Sequence, residues 1–196
     1  MNYQRTLVGF HGCDMATAVR LAAGDPWIPS KNDYDWLGHG IYFWEGDYDR
    51  ALDWAMKVMQ NPRLSKARIR TAAVVAVVIE PRNMLDLSLS KSMPIIEEAY
   101  EYLCASMERQ GLAMPENEPV GSADIYFKNR KLGCMVMNTV NIMLRFQGKP
   151  EIDLFRAPFN EGAAIYAGGM FYRDTHIQLC VKDPSIIKSA YNASDR

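Results

Sequence analysis

The stretch Leu37-Gly-His-Gly-Ile-Tyr-Phe-Trp-Glu45 decides how the rest of this chain is read. Gly38 and Gly40 flank a histidine. Glycine permits a positive φ and close backbone approach, so a tight bend is expected there. The aromatic and β-branched run that follows predicts a short strand. Its side chains alternate, which puts Ile41 and Phe43 on one face and Tyr42 and Trp44 on the other. One face then serves a core, and the other offers flat aromatic rings to a cleft.

Upstream, residues 6–11 read as a strand that ends at His11-Gly12-Cys13. Asp14 is the expected N-cap of a short helix from Met15 to about Ala23, closed by Gly24. Residues 25–36 are dense in Pro, Asp, Asn and aromatics and read as loop. Downstream, Asp47 or Asp49 caps a helix with Ala51, Trp54, Ala55, Val58 and Met59 on one face, ending at Asn61-Pro62. Ala72 to Glu80 is a continuous apolar run and predicts a central strand buried on both faces. Met84 to Leu87 adds a brief edge.

Two helices, about 94–110 and 133–146, form a helical insertion or added layer over about 94–150, joined by a polar loop reaching about Ala123. The last third predicts a strand at Ala163 to Tyr166, a turn at Gly168-Gly169 and a final strand from Thr175 to Val181. On that final strand His176, Gln178 and Cys180 share one face. The polar tail after Tyr191 reads as disordered at its end. The whole describes one α+β domain over residues 1–196, built on an antiparallel or mixed sheet with flanking helices.

A chain of 196 residues with 48% hydrophobic and 23% charged residues has the makeup of a globular protein with a sizeable core. Its formal net charge of -1 gives no global pull towards nucleic acid or anionic membrane. Two basic clusters, Lys66-Ala-Arg-Ile-Arg70 and Lys128-Asn-Arg-Lys131, are candidates for a local basic patch, although such clusters are more often solvated faces than binding sites. No apolar run is long enough to span a bilayer and the N-terminus lacks a signal-peptide pattern, so no membrane partner is expected. Four cysteines without pairing motifs suit reduced thiols and a cytoplasmic location. Without CxxC or a tight His/Cys cluster, no metal site is expected.

Three segments, Phe10-His11-Gly12, Gly40-Ile-Tyr-Phe43 and His176-Ile-Gln-Leu179, occur in an order and spacing that resemble the ADP-ribosyltransferases of the diphtheria toxin and poly(ADP-ribose) polymerase branch. That branch carries a His-Gly pair on its first strand, a Gly-x-Gly-Ile-Tyr-Phe stretch about thirty residues on, and a glutamate on a late strand. Ala51 sits where the polymerases have the alanine of a Ser-Ala-Asn-Tyr segment. The resemblance covers roughly 6–59 and 163–188 and leaves the insertion without a counterpart. It implies the split-sheet fold of that family, with NAD as co-substrate.

By the same resemblance His11 hydrogen-bonds the adenosine ribose, the Gly12 backbone grips the nicotinamide carboxamide, and Tyr42 stacks on the nicotinamide ring. Asn32, Gly40 and Trp54 join the cofactor-binding residues, with Asp33 and Trp36 in the loop that closes over NAD. His39 occupies a variable position of the motif and is expected to be exposed. Gln178 falls where the family has its catalytic glutamate, so the triad reads His-Tyr-Gln. A glutamine keeps the hydrogen bond but loses the charge that offsets an oxocarbenium-like transition state. Glu161 is the candidate for the missing carboxylate, Arg156 for a phosphate contact, and His176 is suited to act as acceptor base or orienting group.

The expected activity is transfer of a single ADP-ribose from NAD to a macromolecular acceptor (protein, DNA or RNA). By analogy of fold, a bacterial toxin or phage-defence effector with a neutralising partner protein is implied. The alternative is an inactive module of the same fold that binds NAD or ADP-ribose, which the glutamine favours. A GIY-YIG nuclease, suggested by Gly40-Ile-Tyr42 and Ile165-Tyr-Ala-Gly168, is set aside. Its two motifs lie close in sequence, and here more than a hundred residues part them.

Overall fold

The computed structural model describes residues 5–119 and 129–194. Lys128 of the second basic cluster, the end of the predicted polar loop and the last two residues of the tail lie outside the described residues. The chain runs through strand β1 (Leu7–Asp14), helix α1 (Met15–Ala22), β2 (Ile41–Glu45), α2 (Tyr48–Gln60), β3 (Ala72–Ile79) and β4 (Met84–Asp86). It continues with α3 (Met93–Gln110), α4 (Lys131–Phe146), β5 (Leu154–Phe159), β6 (His176–Val181) and β7 (Ile187–Asn192). Asp14 caps α1 by accepting the Ala16 N–H at 3.0 Å, and Asp47 caps α2 by accepting the Arg50 N–H at 2.9 Å. Each satisfies one donor that the helix itself leaves open.

The seven strands found among the described residues form one mixed sheet in the order β4-β5-β6-β2-β1-β3-β7, parallel at β4–β5 and antiparallel elsewhere. The fold is α+β. Alternation along the strands divides its core. Ile41, Phe43, Val75, Val77, Leu179 and Val181 pack with Ala18 and Leu21 of α1 on one face. On the other face Trp44, Val74 and Ala76 meet Ala51 of α2, while Phe155 and Cys180 meet Leu103, Val140 and Met143 of the α3–α4 pair. The helices of the insertion are therefore a layer on the sheet.

Three expectations for the last third need correction. Residues 163–166 form no strand; Ala164 makes a single bridge to Tyr172, and Ile165 and Tyr166 are exposed around the turn at Gly168, where φ is 73°. Glycine and small residues there supply no apolar alternation to bury. Residues 154–159, to which the sequence reading assigned no element, form β5 with Pro158 inside it. The carbonyl of Arg156, two residues earlier on the same edge, accepts from Leu87, so the missing N–H of Pro158 faces the β4 side, where β4 has already ended. Val181 is also not the end of the sheet. β7 adds an edge strand, and the tail docks beyond it, with Ala193 N–H bonded to the Val74 carbonyl at 2.9 Å and Ser194 Oγ accepting the Val74 N–H at 2.8 Å. β7 buries little beyond parts of Ile187 and Ala190, so its sequence gives a weak signal.

The arrangement that positions a site lies between β1 and β2. They pair only at Gly9–Glu45 and Phe10–Trp44, although β1 runs on to Asp14. Continued register would set Gly12 opposite Tyr42. Instead the strands part, and His11 Nδ1 reaches the Tyr42 carbonyl at 2.9 Å. Val74, the β3 partner of Gly12, spends both its N–H and its C=O on Ser194 and Ala193. In an antiparallel ladder Gly12 must then also turn its N–H and C=O away from β3, into the gap. Glycine is required there for another reason: a Cβ would stand 2.1 Å from the Ala51 carbonyl oxygen of α2. Gly12→Ala is expected to lower the unfolding free energy by about 2–3 kcal/mol, the upper range for an overpacked contact, measured by denaturant melts.

Candidate active site

Where β1 and β2 part, the structure holds a cavity of about 440 Å³. Arg50 and Trp54 of α2 bound it on one side and Arg130, just before α4, on the other; the loop 28–36 contributes Asn32 and Trp36. His11, Asn32, Gly40, Tyr42, Trp54, Glu161, His176 and Gln178 all line it, so eight sequence-derived candidates meet in one place. Gly12, next to His11 at the fork, is not among the lining residues. Arg156 does not line the cavity. Its guanidinium is engaged by Glu45 at 2.7 Å and by Asp86 at 3.1 Å, next to Ser88. Asp33 and the side chain of His39 are exposed.

The glycine stretch is clamped from two elements. The Tyr42 hydroxyl donates to the Gly38 carbonyl at 2.7 Å and accepts the Leu37 N–H at 3.1 Å, which fixes the ring. Burial, with the Cys180 thiol and Asp35 nearby, keeps that hydroxyl protonated well above the ordinary tyrosine range. Gly38 has φ 73°, and a Cβ on it would lie 2.5 Å from Asn138 Oδ1 of α4. That oxygen accepts the His39 N–H at 2.8 Å. Lys182, past the end of β6, donates to the carbonyls of Leu37 and His39 at 2.6 and 2.7 Å, and burial lowers its pKa. Gly40 exchanges two backbone hydrogen bonds with Ser30, pinning the loop across the fork.

The donor and acceptor pattern of the cavity follows from these bonds. A carbonyl only accepts, so the Nδ1 atoms of His11 (to Tyr42 O) and His176 (to Asp174 O, 2.8 Å) carry the protons, and each Nε2 keeps a lone pair. Burial lowers the pKa of both rings; for His176 the neighbouring Arg50 adds to this, against the raising effects of Asp174, Glu161 and Asp47. The Trp36 indole N–H, which only donates, is bonded to Gln178 Oε1. The amide oxygen of Gln178 is thereby engaged, and its NH₂ is the group left for a further bond. Glu161 is paired with Arg50 at 2.6 Å, and Arg50 also bonds Asp53 at 3.2 Å.

Buried polar atoms nearly always find a partner, so exceptions are informative. Among the described residues four buried side-chain atoms have none: Trp44 Nε1, Arg50 Nε, Arg130 Nε and His176 Nε2. All four belong to residues lining this cavity. The surroundings of the cavity are polar with aromatic walls, and they hold three buried N–H donors and one buried acceptor whose hydrogen bonds are unmet. Arg50 was not legible as a cavity residue, since it stands in sequence as an ordinary charge on a helix, and Arg130 stood out only as a member of the Lys128–Lys131 basic cluster. No group of three or more His, Cys, Asp or Glu among the described residues is placed to hold a metal ion. No helix among them is long and apolar enough to cross a membrane.

Comparison with known proteins gives one distant relative to report, an uncharacterized protein of Methanocaldococcus jannaschii. It is 25% identical over 205 residues, covering 96% of this chain and 87% of its own. No family model and no solved structure matches the chain.

The lowered pKa values of His11 and His176 set a pH dependence. Each folded pKa lies below the ordinary 6.5, so between the two values the unfolded chain binds more protons, and stability rises with pH. Stability is therefore full above about pH 6.5 and declines as pH falls below it. Asp14, Asp86 and Asp183 are held below 3.8 and lose their contribution only at much lower pH, which separates the two effects. Denaturant melts at about pH 7.5 and 5.5 should show this decline, and His176→Gln should flatten it.

Proposed function

We propose that this protein is an NAD-dependent mono-ADP-ribosyltransferase that moves ADP-ribose from NAD to a macromolecular acceptor. The observation that carries the reading is the convergence of His11, Tyr42 and Gln178 on one cavity at the β1–β2 fork. NAD as substrate supplies a glycosidic bond to a positively charged nicotinamide, which leaves as a neutral ring. Tyr42, its hydroxyl fixed on Gly38, offers the face for that ring. The Gly12 N–H and C=O look into the gap and match a carboxamide, which needs one acceptor and one donor. His11 Nε2 accepts from a ribose hydroxyl, and the Gln178 amide nitrogen donates to a ribose oxygen.

Positive charge builds on the ribose as the bond to nicotinamide breaks, and a carboxylate is the usual compensation. Glu161 is the candidate, its charge shared with Arg50 until substrate or acceptor competes for the pair. His176, kept neutral by burial with its Nε2 lone pair unpartnered, is the candidate to take the acceptor's proton.

One observation favours a second reading, a module that binds NAD or ADP-ribose without turning it over. Gln178 stands at the position that carries the charge in the family, and Trp36 fixes its amide so that an NH₂ group, not an anion, meets the ligand.

Nicotinamide release from NAD by purified protein, with and without cell lysate as acceptor, separates the two. Turnover is expected in wild type, with a loss of at least about a hundredfold in Tyr42→Ala and Gln178→Ala, the scale of removing one transition-state contact. A matching loss in Glu161→Ala assigns the carboxylate, and Gln178→Glu should raise the rate. NAD binding without nicotinamide release under every condition would leave the binding module.

A further inference from the structure

The two arginines of the cavity are in opposite states. Arg50 is ion-paired through its two terminal nitrogens, with Asp53 and Glu161, and lies over the Trp44 ring, while its Nε has no partner. Arg130 is half-buried and lines the cavity, yet among the described residues no hydrogen bond or ion pair engages its guanidinium. Among the described residues, the two carboxylates of the neighbouring segments have hydrogen-bond partners of their own. Asp35 accepts from the backbone N–H and side-chain amide of Asn32 at 3.1 and 3.3 Å, and Glu118 is held by Lys131 and Asn129. A partly dehydrated cation without a counter-charge costs stability, and an anionic ligand offsets that cost.

The surroundings decide which anion. Arg130 opens α4, a sixteen-residue helix with no acidic side chain in its first turn, so the helix end adds to the positive field. Beside it the cavity wall carries Trp36, Tyr42 and Phe159, flat faces of the kind that take a heteroaromatic ring. A guanidinium fork matches phosphate oxygens in paired geometry. We propose that Arg130 is the phosphate-binding residue of this cavity, and that the ligand it selects is a nucleoside diphosphate. This rests on the NAD reading and deepens it. The insertion that finds no counterpart in the resembled family then supplies the ligand's counter-charge.

The test is calorimetric titration of the full chain with ADP-ribose, ADP and adenosine, for wild type, Arg130→Gln and Arg130→Lys, each shown to melt as wild type does. Wild type is expected to bind both diphosphates more tightly than adenosine, and increasingly weakly as salt is added. Arg130→Gln should lose about ten- to a hundredfold for the diphosphates, the scale of charge-assisted hydrogen bonds, with adenosine unchanged. Arg130→Lys should recover part of the loss. Equal affinity of Arg130→Gln and wild type for ADP-ribose would overturn the proposal, as would wild type binding ADP-ribose no better than adenosine. The activity reading fails separately: a diphosphate affinity that depends on Arg130, without nicotinamide release from NAD, keeps this inference and removes that one. Nicotinamide release with an unchanged KM in Arg130→Gln does the reverse.

Discussion

A sheet that opens in its interior creates a debt of unpaired backbone groups, and the way β1 and β2 meet it organises this molecule. Past Phe10 and Trp44 the two strands no longer pair, so the polar groups of Gly12, Tyr42 and Gly40 must find other partners or stay open to a ligand. His11 takes the Tyr42 carbonyl and Ser30 takes Gly40. The first substitute is a side chain of β1 itself, and the second comes from the loop after α1. The ring of His11 is held edge-on between Trp27 and Phe43, so the loop after α1 is anchored by the same histidine that bridges the gap.

The open fork is stable because its two lips are fastened to different layers. The β1 lip is held by α2, which comes close enough at Gly12 that no side chain fits. The β2 lip is held by α4 and β6 through Asn138, Cys180 and Lys182, which crowd Gly38 and Gly40. Close contact on both lips leaves little freedom for the gap to close, since packed interiors do not deform continuously. The α3–α4 layer thereby reaches the site as well as the core, and the motif's glycines mark the points where that layer and β6 press on the backbone.

What the sequence disclosed, and what it hid, follows from where the information sits. The strands of the centre and the caps at Asp14 and Asp47 are local patterns, and they were legible as such. Alternation on β6 correctly put His176, Gln178 and Cys180 on one side, because a two-residue period survives without any knowledge of neighbours. β5 and β7 were hidden because an edge position relaxes the rules: a proline is tolerated where no partner follows, and a strand with few buried side chains carries little pattern. Arg50 escaped notice and Arg130 was marked only as part of a basic cluster, because their place in the cavity depends on which partners they have or lack, and that is a property of three-dimensional neighbours. Arg156 shows the converse. Its position in a suggestive segment drew attention, while its side chain serves the carboxylates of Glu45 and Asp86.

The glutamine at position 178 is best understood from the indole that binds it. Trp36 can only donate, so whatever stands at 178 must present an acceptor, and glutamine and glutamate meet that demand alike. The two differ in the second atom, which faces the cavity as an NH₂ donor in one case and as an anionic oxygen in the other. The exchange therefore leaves the wall of the site intact and alters only what it offers a ligand. Arg130 lines the same cavity, together with Arg50 and the carboxylates Asp35 and Glu161, so the wall carries charges of both signs. The two carboxylates that line the cavity are already engaged, Glu161 by Arg50 at 2.6 Å and Asp35 by the amide groups of Asn32, so the glutamine adds a neutral donor to a site whose anions have partners.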